Sequence, residues 1–491
     1  MALAAALSLG AAGGASAATN AKLAELLEKL NQRVQKLEQV NADLQRELTA
    51  SRSAAPAAPA AAVEKRLQVL EQQQTALTQS LETEFISEKE PVLSARLKAV
   101  ETKTQDMSGP VGKLKTFEGM TGGLSLSMVA QKSFGGSMGD GQLGYRADAF
   151  ATLPLAPIGD IDQSVFVQFR LGQGNPLGVP SIYSSNPNAT AFQLGGMTAD
   201  HSVALLAQAW YQASIPLPLG GFKPESKQTL EFNVGKMDPF VFFDQNAVAG
   251  DETKQFLNSA FVHNPLLDAG HDIGVDINGF TPGLRVSLLD SSDKLESWRL
   301  SLGVFGAGST GSNYQRSLGA PMVMLQAETS QRFFGGLQGN YRAYTWSNPQ
   351  ATHFDPAVIE PERHNGWGLS MDQRVGDGMT LFARYGQETK GNVKFDRALT
   401  AGAEFNGSYW SRGGDSLGLA LGWLNTSDAY RDFTATTTAN NGSERVAELY
   451  YRFRVGKQFE LSPSLQYIGN PGGDPAAQDV RILGLRSQFT F

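Results

Sequence analysis

The chain has 491 residues, 53 of them glycine and none cysteine, with 18% charged and 41% hydrophobic residues and a formal net charge of -7. The lack of cysteine excludes disulfide frameworks, thiolate nucleophiles, iron-sulfur clusters and Cys-ligated zinc, and the acidic balance argues against a nucleic-acid partner, which requires a basic face. No stretch reaches the roughly 18 consecutive apolar residues of a membrane helix, so any crossing of a membrane must use strands.

Length alone suggests about three soluble domains, but the patterning divides the chain otherwise. Residues 1–17 form an Ala/Leu/Gly run ending in Ala15-Ser16-Ala17, which fits the small-residue rule of a secretory signal peptide cleaved after Ala17. The usual basic flank is missing, since no Lys or Arg precedes Lys22; the competing description is a disordered Ala-rich tail. Within 18–50 a heptad pattern places Leu23, Leu30, Leu37 and Leu44 at d and Leu27, Val34, Asn41 and Leu48 at a, predicting an α-helical coiled coil in which the polar Asn41 fixes register and oligomer state. Pro56 and Pro59 break the pattern in an Ala/Pro linker over 51–62. A second, weaker coiled-coil segment and connector occupies 63–118, with Val63, Leu70 and Leu77 at d and Leu67, Gln74 and Leu81 at a. At about 1.5 Å per residue each rod would be about 40 Å long, enough to cross part of a periplasm. Through Glu118 there are 14 basic and 14 acidic residues, so the whole net charge belongs to 119–491.

From Gly119 onward the hydrophobic period changes to two, between clusters of Gly, Asn, Asp, Ser and Pro. Val165, Val167, Phe169 and Leu171 share one face against Gln168 and Arg170; Trp298, Leu300, Leu302 and Val304 alternate with Arg299, Ser301 and Gly303. The same alternation runs through Met379–Gly386, Ser416–Trp423, Leu449–Val455 and Leu483–Phe491. A soluble sandwich also alternates. Here the apolar face often ends in Tyr, Trp or Phe and the opposite face carries Arg and Gly, as expected of a lipid-facing wall with an aromatic girdle around a polar lumen. The terminal strand ending in Phe491 resembles the assembly signal of bacterial outer-membrane barrels. The expected fold is an all-β transmembrane antiparallel barrel over 119–491, of about 16 strands with 18 as the alternative.

Motifs for chemistry are weak. Gly139-Asp140-Gly141-Gln142-Leu143-Gly144 matches GxGxxG, but it opens a strand where a dinucleotide site needs a helix, so it reads as a glycine turn. His263 and His271, near Asp268 and Asp272, are separated by Pro265 and Gly270 and do not make a metal site. No GxSxG nucleophile elbow occurs, and no cofactor is called for. Residues 119 onward contain 18 Arg and 9 Lys, and many Arg lie on polar strand faces. Arg146, Asp148, Arg170, Arg299, Arg342, Asp372, Arg374, Arg384, Glu448, Arg452, Arg454 and Arg486 are the candidate pore-lining residues, because opposed fixed charges narrow a lumen and orient permeating dipoles. The plainer role for such Arg is to pair with carboxylates and brace the wall.

Two stretches go further. Gly235-Lys236-Met237-Asp238-Pro239, continuing through Phe242–Asn246 and Gly250–Glu252 to Gln255–Asn258, resembles a segment of the carbohydrate-selective porin family of OprB type. So does Leu461–Ile468 with Asn470-Pro471-Gly472-Gly473 and Gly484-Leu485-Arg486. Phe382–Gly386 and Asp415–Trp423 fit the same pattern. The resemblance implies a 16-stranded outer-membrane barrel that admits glucose and related small sugars by diffusion, through a constriction lined by Arg, acidic and aromatic residues. Asp244, Asn246, Asp251 and Glu252, in a polar segment able to fold toward the lumen, are the constriction candidates. The front of the chain resembles envelope-tethered porins with inorganic ions proposed as cargo. The expected function is therefore a passive porin for small hydrophilic solutes, and not an enzyme. It would sit in the outer membrane of a Gram-negative bacterium, with its coiled coil in the periplasm, oligomerising the chain or reaching peptidoglycan; porin analogy favours a homotrimer. The alternatives are an anion or inorganic-ion pore, or a structural tether or adhesin anchored by a barrel.

Overall fold

The computed structural model describes residues 119–491 apart from 136–140, 176, 180–185, 192–200, 221–225, 269–277, 294 and 308–318. The leader, both coiled-coil segments, the linker and Asn41 lie outside the described residues, as do His271 and Asp272.

Sixteen antiparallel strands close into one barrel. They are β1 (Thr121–Phe134), β2 (Gly141–Ile158), β3 (Ile161–Gln173), β4 (Val203–Leu217), β5 (Gln228–Met237), β6 (Thr281–Asp290), β7 (Trp298–Phe305) and β8 (Met322–Phe333), followed by β9 (Leu337–Ala351), β10 (Glu362–Arg374), β11 (Met379–Lys390), β12 (Phe395–Asn406), β13 (Ser416–Thr426), β14 (Ser443–Arg454), β15 (Phe459–Gly469) and β16 (Val480–Thr490). Each strand pairs with its sequence neighbours, and β1 pairs with β16 from Ser125 opposite Thr490 to Phe134 opposite Arg481. Phe491 extends the seam by exchanging backbone hydrogen bonds with Leu124. Closure leaves no strand edge unpaired, which a lipid environment demands.

The period-two reading holds along the wall. Leu300, Leu302, Leu325, Leu419, Leu421, Leu449, Leu465, Leu483 and Leu485 point outward and are exposed in the isolated chain, an apolar band that only hydrocarbon or another apolar surface can cover. The inward positions between them are buried: Ser301, Gln326, Glu328, Glu448, Gln466 and Arg486. The alternation through Leu449–Val455 stops one residue earlier than the sequence suggests, because β14 ends at Arg454. Gly141–Gly144 opens β2, as the turn reading of the glycine motif expects.

Inward glycines accommodate inward aromatic rings on adjacent strands. Gly368 of β10 faces Tyr344 of β9, and a Cβ there would lie 2.5 Å from the tyrosine ring. Tyr344, Trp346, Phe382 and Tyr450 consequently fold inward and join an apolar cluster inside the barrel with Phe243, Phe256 and Phe261. Those three belong to the connection between β5 and β6, whose described residues 238–268 turn into the lumen. They include two short α-helices, α1 (Ser259–Val262) and α2 (Pro265–Asp268).

Candidate functional site

The inserted connection is the candidate site, and its sequence explains why it packs inside. Phe240, Phe242, Phe243, Phe256, Leu257, Phe261, Leu266 and Leu267 are all buried, so the segment carries its own apolar core. Its ends are shaped locally. The Asp238 carboxylate accepts from Phe240 N–H at 2.9 Å, and Asn258 caps α1 by accepting from Ala260 N–H at 3.0 Å. Burial pushes the Asp238 carboxyl above its ordinary range.

Two wall carboxylates, two wall arginines and one carboxylate of the loop itself hold this segment in place. Asp244, fully buried and in the left-handed region at φ 52°, is the central latch. Its carboxylate accepts from Arg384 Nε at 3.0 Å, Tyr344 Oη at 2.9 Å and Asn264 N–H at 2.6 Å. Arg384 also donates to the carbonyls of Asp244 and Phe261. Glu448 accepts from Leu257 N–H and Asn258 N–H, each at 2.8 Å. Arg486 donates to the carbonyls of Glu252 and Gln255 at 2.9 and 2.8 Å. Asp372 takes Asn340 at 2.6 Å and Arg342 at 2.9 Å, and Ala247 N–H at 3.4 Å. Asn246 donates to the Met371 carbonyl at 2.9 Å. Buried charges of this kind persist only where partners compensate the loss of water.

A second loop is wedged beside the first. The Pro187 carbonyl, in the connection between β3 and β4, accepts from both Gln131 of β1 and Gln466 of β15 at 2.8 Å. Ala189 N–H donates to the Leu257 carbonyl at 2.7 Å, and Ser259 N–H to that of Asn186 at 2.9 Å. The two loops thus pack on one another and against β14, β15, β16 and β1.

The β2–β5 wall is built differently. Phe150, Phe166 and Trp210 form a stacked row, with ring centroids 6.4 Å and then 4.9 Å apart; Phe242 of the loop meets Trp210 edge-on at 5.5 Å. Phe166 and Trp210 are each only partly buried. Gly235 lies opposite Trp210 at φ +144°, and a Cβ there would come within 2.2 Å of the Ala209 carbonyl oxygen. A hydrogen-bond chain runs beside the rings from Trp210 through Gln208 and Gln168 to Asp148. Asp148 takes Arg146 and Arg170, each at 2.8 Å, and Arg146 reaches Glu252 of the loop at 2.7 Å. Burial alone would raise the Glu252 carboxyl, but Arg146 together with Arg170 and His263 outweighs it and holds the group below the usual carboxylate range. Below the rings, Arg285 and Arg299 share Glu231, and Arg285 also stacks on Phe242 at 4.9 Å.

The sequence-derived candidates therefore separate into groups. Arg146, Asp148, Arg170 and Glu252 come together beside the aromatic row. Arg299 joins the Glu231 cluster, and Arg342 bridges Asp372 to Glu328 at 2.9 and 3.0 Å. Arg384, Glu448, Arg486, Asp244 and Asn246 fasten the loop; of the constriction candidates, Asp244 and Asn246 are buried against wall side chains. Asp251 binds Thr253 and Lys254 within the loop and remains partly exposed. Arg452 has Glu404 and Glu460 within electrostatic reach. Arg374 and Arg454 lie at strand ends, Arg454 exposed, where its backbone N–H donates to Asp415 at 2.9 Å.

Sequence reasoning missed Glu231, Arg285, Glu328, Gln131, Gln466, Phe166 and Trp210 as site residues. Arg285 and Glu231 carried the available signal, sitting at polar positions of alternating runs, Gly283–Leu289 and Thr229–Val234. Among the described residues no group of His, Asp and Glu forms a metal cluster; His263 stacks on Phe240 at 3.8 Å.

Comparison with known proteins agrees with this architecture. The chain is similar to Porin B of Pseudomonas aeruginosa, with 26% identity over 148 residues, 26% of this chain and 33% of the relative, so the match spans about a third of that relative's length. The high-pH structure of Pseudomonas putida OprB superposes with a TM-score of 0.62 at 20% identity, covering 79% of this chain and 97% of that one. The sequence pattern of the carbohydrate-selective porin, OprB family, matches residues 62–491. Since that match runs through the lumenal loop and every strand of the barrel, the chain belongs to the carbohydrate-selective porin family of OprB type.

Proposed function

We propose that the protein is an outer-membrane channel for passive diffusion of small hydrophilic solutes, with mono- and disaccharides as its permeant class. The observation that carries this reading is the partly exposed Phe166–Trp210 face flanked by the Gln208–Gln168–Asp148–Arg170 chain. A pyranose has a C–H face that packs on an aromatic ring and a rim of hydroxyls that need donors and acceptors in its plane. An apolar ring bordered by fixed carboxamides, carboxylates and forked guanidinium donors supplies both. Arg146, Arg170, Arg285, Arg299, Arg342 and Arg384 each pair with a carboxylate. That pairing supports a dipole-orienting lumen more than an anion-selective one. The protein performs no chemistry; membership of a porin family supports this.

Liposome swelling with glucose, maltose and a trisaccharide tests the channel, and bilayer reversal potentials test its selectivity. An impermeable reconstituted protein would leave only the tether or adhesin role. Strong anion selectivity unaffected by millimolar glucose would sink the sugar reading. We also infer that the heptads of 18–50 and 63–118 form a periplasmic rod that oligomerises the chain, as a trimer by porin analogy, or attaches it to peptidoglycan. Deleting residues 23–100 should leave a folded barrel with altered cross-linking or sacculus co-sedimentation; unchanged behaviour in both would refute the rod.

A further inference from the structure

The outer face of the barrel holds a cationic patch, without a salt bridge among the described residues, at the rim opposite the chain's carboxyl end. On β1, β14, β15 and β16 the lipid-facing positions are apolar along most of their length, with Met128, Leu449, Leu465, Leu483 and Leu485 exposed. Toward one rim that pattern gives way to Lys132, Arg445 and Arg481, all exposed. Arg481 lies opposite Phe134 of β1 and Tyr467 of β15, Lys132 opposite Leu483, and Arg445 opposite Gly469. The three cations therefore sit within two residues of the same ends of β1, β16 and β14, with β15 and its Tyr467 between the last two, so that Arg481 lies about 8 Å from Lys132 and about 12 Å from Arg445 along the sheet. Arg445 and Arg481 are both within electrostatic reach of the Tyr467 phenol. The neighbouring carboxylate, Asp479, is engaged by Tyr467 Oη at 2.6 Å and Asn470 N–H at 3.4 Å. Among the described residues none of the three cations has a salt bridge, and Lys132 lies over the Phe134 ring at 5.6 Å.

Unpaired cations directly above an outward apolar band match one kind of molecule, with acyl chains below and phosphate at the headgroup. The β1 start and β16 end lie at the rim with the tight turns, such as Phe333 to Leu337, and the inserted 238–280 connection leaves from the other. Short turns face the periplasm in outer-membrane barrels, so the patch meets the outer leaflet; this assignment rests on the outer-membrane reading above. We propose that Lys132, Arg445 and Arg481, with Tyr467, form a binding site for the phosphorylated headgroup of an outer-leaflet glycolipid.

The test is native mass spectrometry of the full chain in detergent with bis-phosphorylated lipid A, with the same glycolipid stripped of phosphate, and with inorganic phosphate. Basic side chains near an anionic lipid surface contribute about 1 kcal/mol each, about fivefold per cation and about a hundredfold for three. The K132Q/R445Q/R481Q variant should bind the bis-phosphorylated lipid about a hundredfold more weakly. K457Q, in the turn after β14 at the opposite rim, should bind as the parent does. Equal retention by the triple variant, or equal binding of the dephosphorylated lipid, would overturn the proposal. Uptake of inorganic phosphate in competition with the lipid would overturn the lipid as occupant. Heat-modifiable migration on gels checks that the variant is folded. Its single-channel conductance should match the parent, because no residue of the patch faces the lumen; the channel reading therefore stands or falls separately.

Discussion

Replacing Asp244 by Ala removes the acceptor shared by Arg384, Tyr344 and Asn264 while leaving the wall strands untouched. Arg384 is 1% exposed, so its guanidinium would be left buried beside an apolar methyl group, retaining only its bonds to carbonyls. At the observed 3.0 Å, the lost Coulomb attraction is about 5 kcal/mol for an effective dielectric of about 20. Removing one partner of a buried pair typically costs about 3–5 kcal/mol. The whole cost falls on the docked state of the loop, because in the undocked state water solvates both groups. The undocked population should therefore rise by about two to three and a half orders of magnitude. The contacts of Glu448 and Arg486 and the burial of Phe243, Phe256 and Phe261 oppose complete release. The expected readout is a noisy channel: single-channel recordings of D244A should show excursions to higher conductance, and proteases should cut within 245–265. The barrel itself should still migrate as a folded species, since its strand ladders do not involve Asp244. If D244A had the parent's conductance, current noise and protease resistance, the loop would be held by its apolar core alone and the latch argument would be wrong.

Trp210→Ala should raise ion conductance and weaken glucose block of the current about fivefold, the equivalent of about 1 kcal/mol for one ring contact; unchanged block would remove the aromatic row from the permeation path. Replacing both Gln131 and Gln466 by Ala removes two hydrogen bonds of about 1 kcal/mol each from the Pro187 carbonyl. That double variant should conduct more and lose size discrimination between disaccharide and trisaccharide in swelling assays, and identical cut-offs would show that the second loop does not narrow the lumen. Asp415, in the turn before β13, would be raised by burial, but hydrogen bonds from Arg412, the Arg454 backbone and Tyr451 outweigh this and hold it at about 2. Because the folded value is depressed, its contribution to stability is full above about pH 4 and is lost as pH falls through about 2. The thermal midpoint of D415N should accordingly depend less steeply on pH between these limits than that of the parent; parallel curves would exclude the linkage.

The wall was legible because its environment repeats. Every strand meets lipid on one side and the lumen on the other, so the period-two contrast of Leu300 and Leu302 with Arg299 and Ser301 recurs wherever the chain crosses. The lumenal loop was legible only in part. Its family pattern and its polar residues pointed inward, but the Phe240–Phe243 run has no period, and nothing in it says that Phe242 meets Trp210 of β4 and Phe243 meets Phe305 of β7. Likewise Asp244 reads as one more acidic residue in a polar segment. Its role as latch depends on Arg384, 140 positions away in the chain, brought opposite by barrel closure.

By itself the sequence determined the class of fold, the inward and outward faces of the strands it resolved and the chain's balance of charge, because these follow from local alternation and composition. Only the tertiary structure decided which carboxylate serves which arginine, which lumenal side is filled by the two loops, and where an aromatic face stays partly open. Those are choices among partners far apart in the chain. They are settled by which donors and acceptors closure places within hydrogen-bond distance of each buried charge.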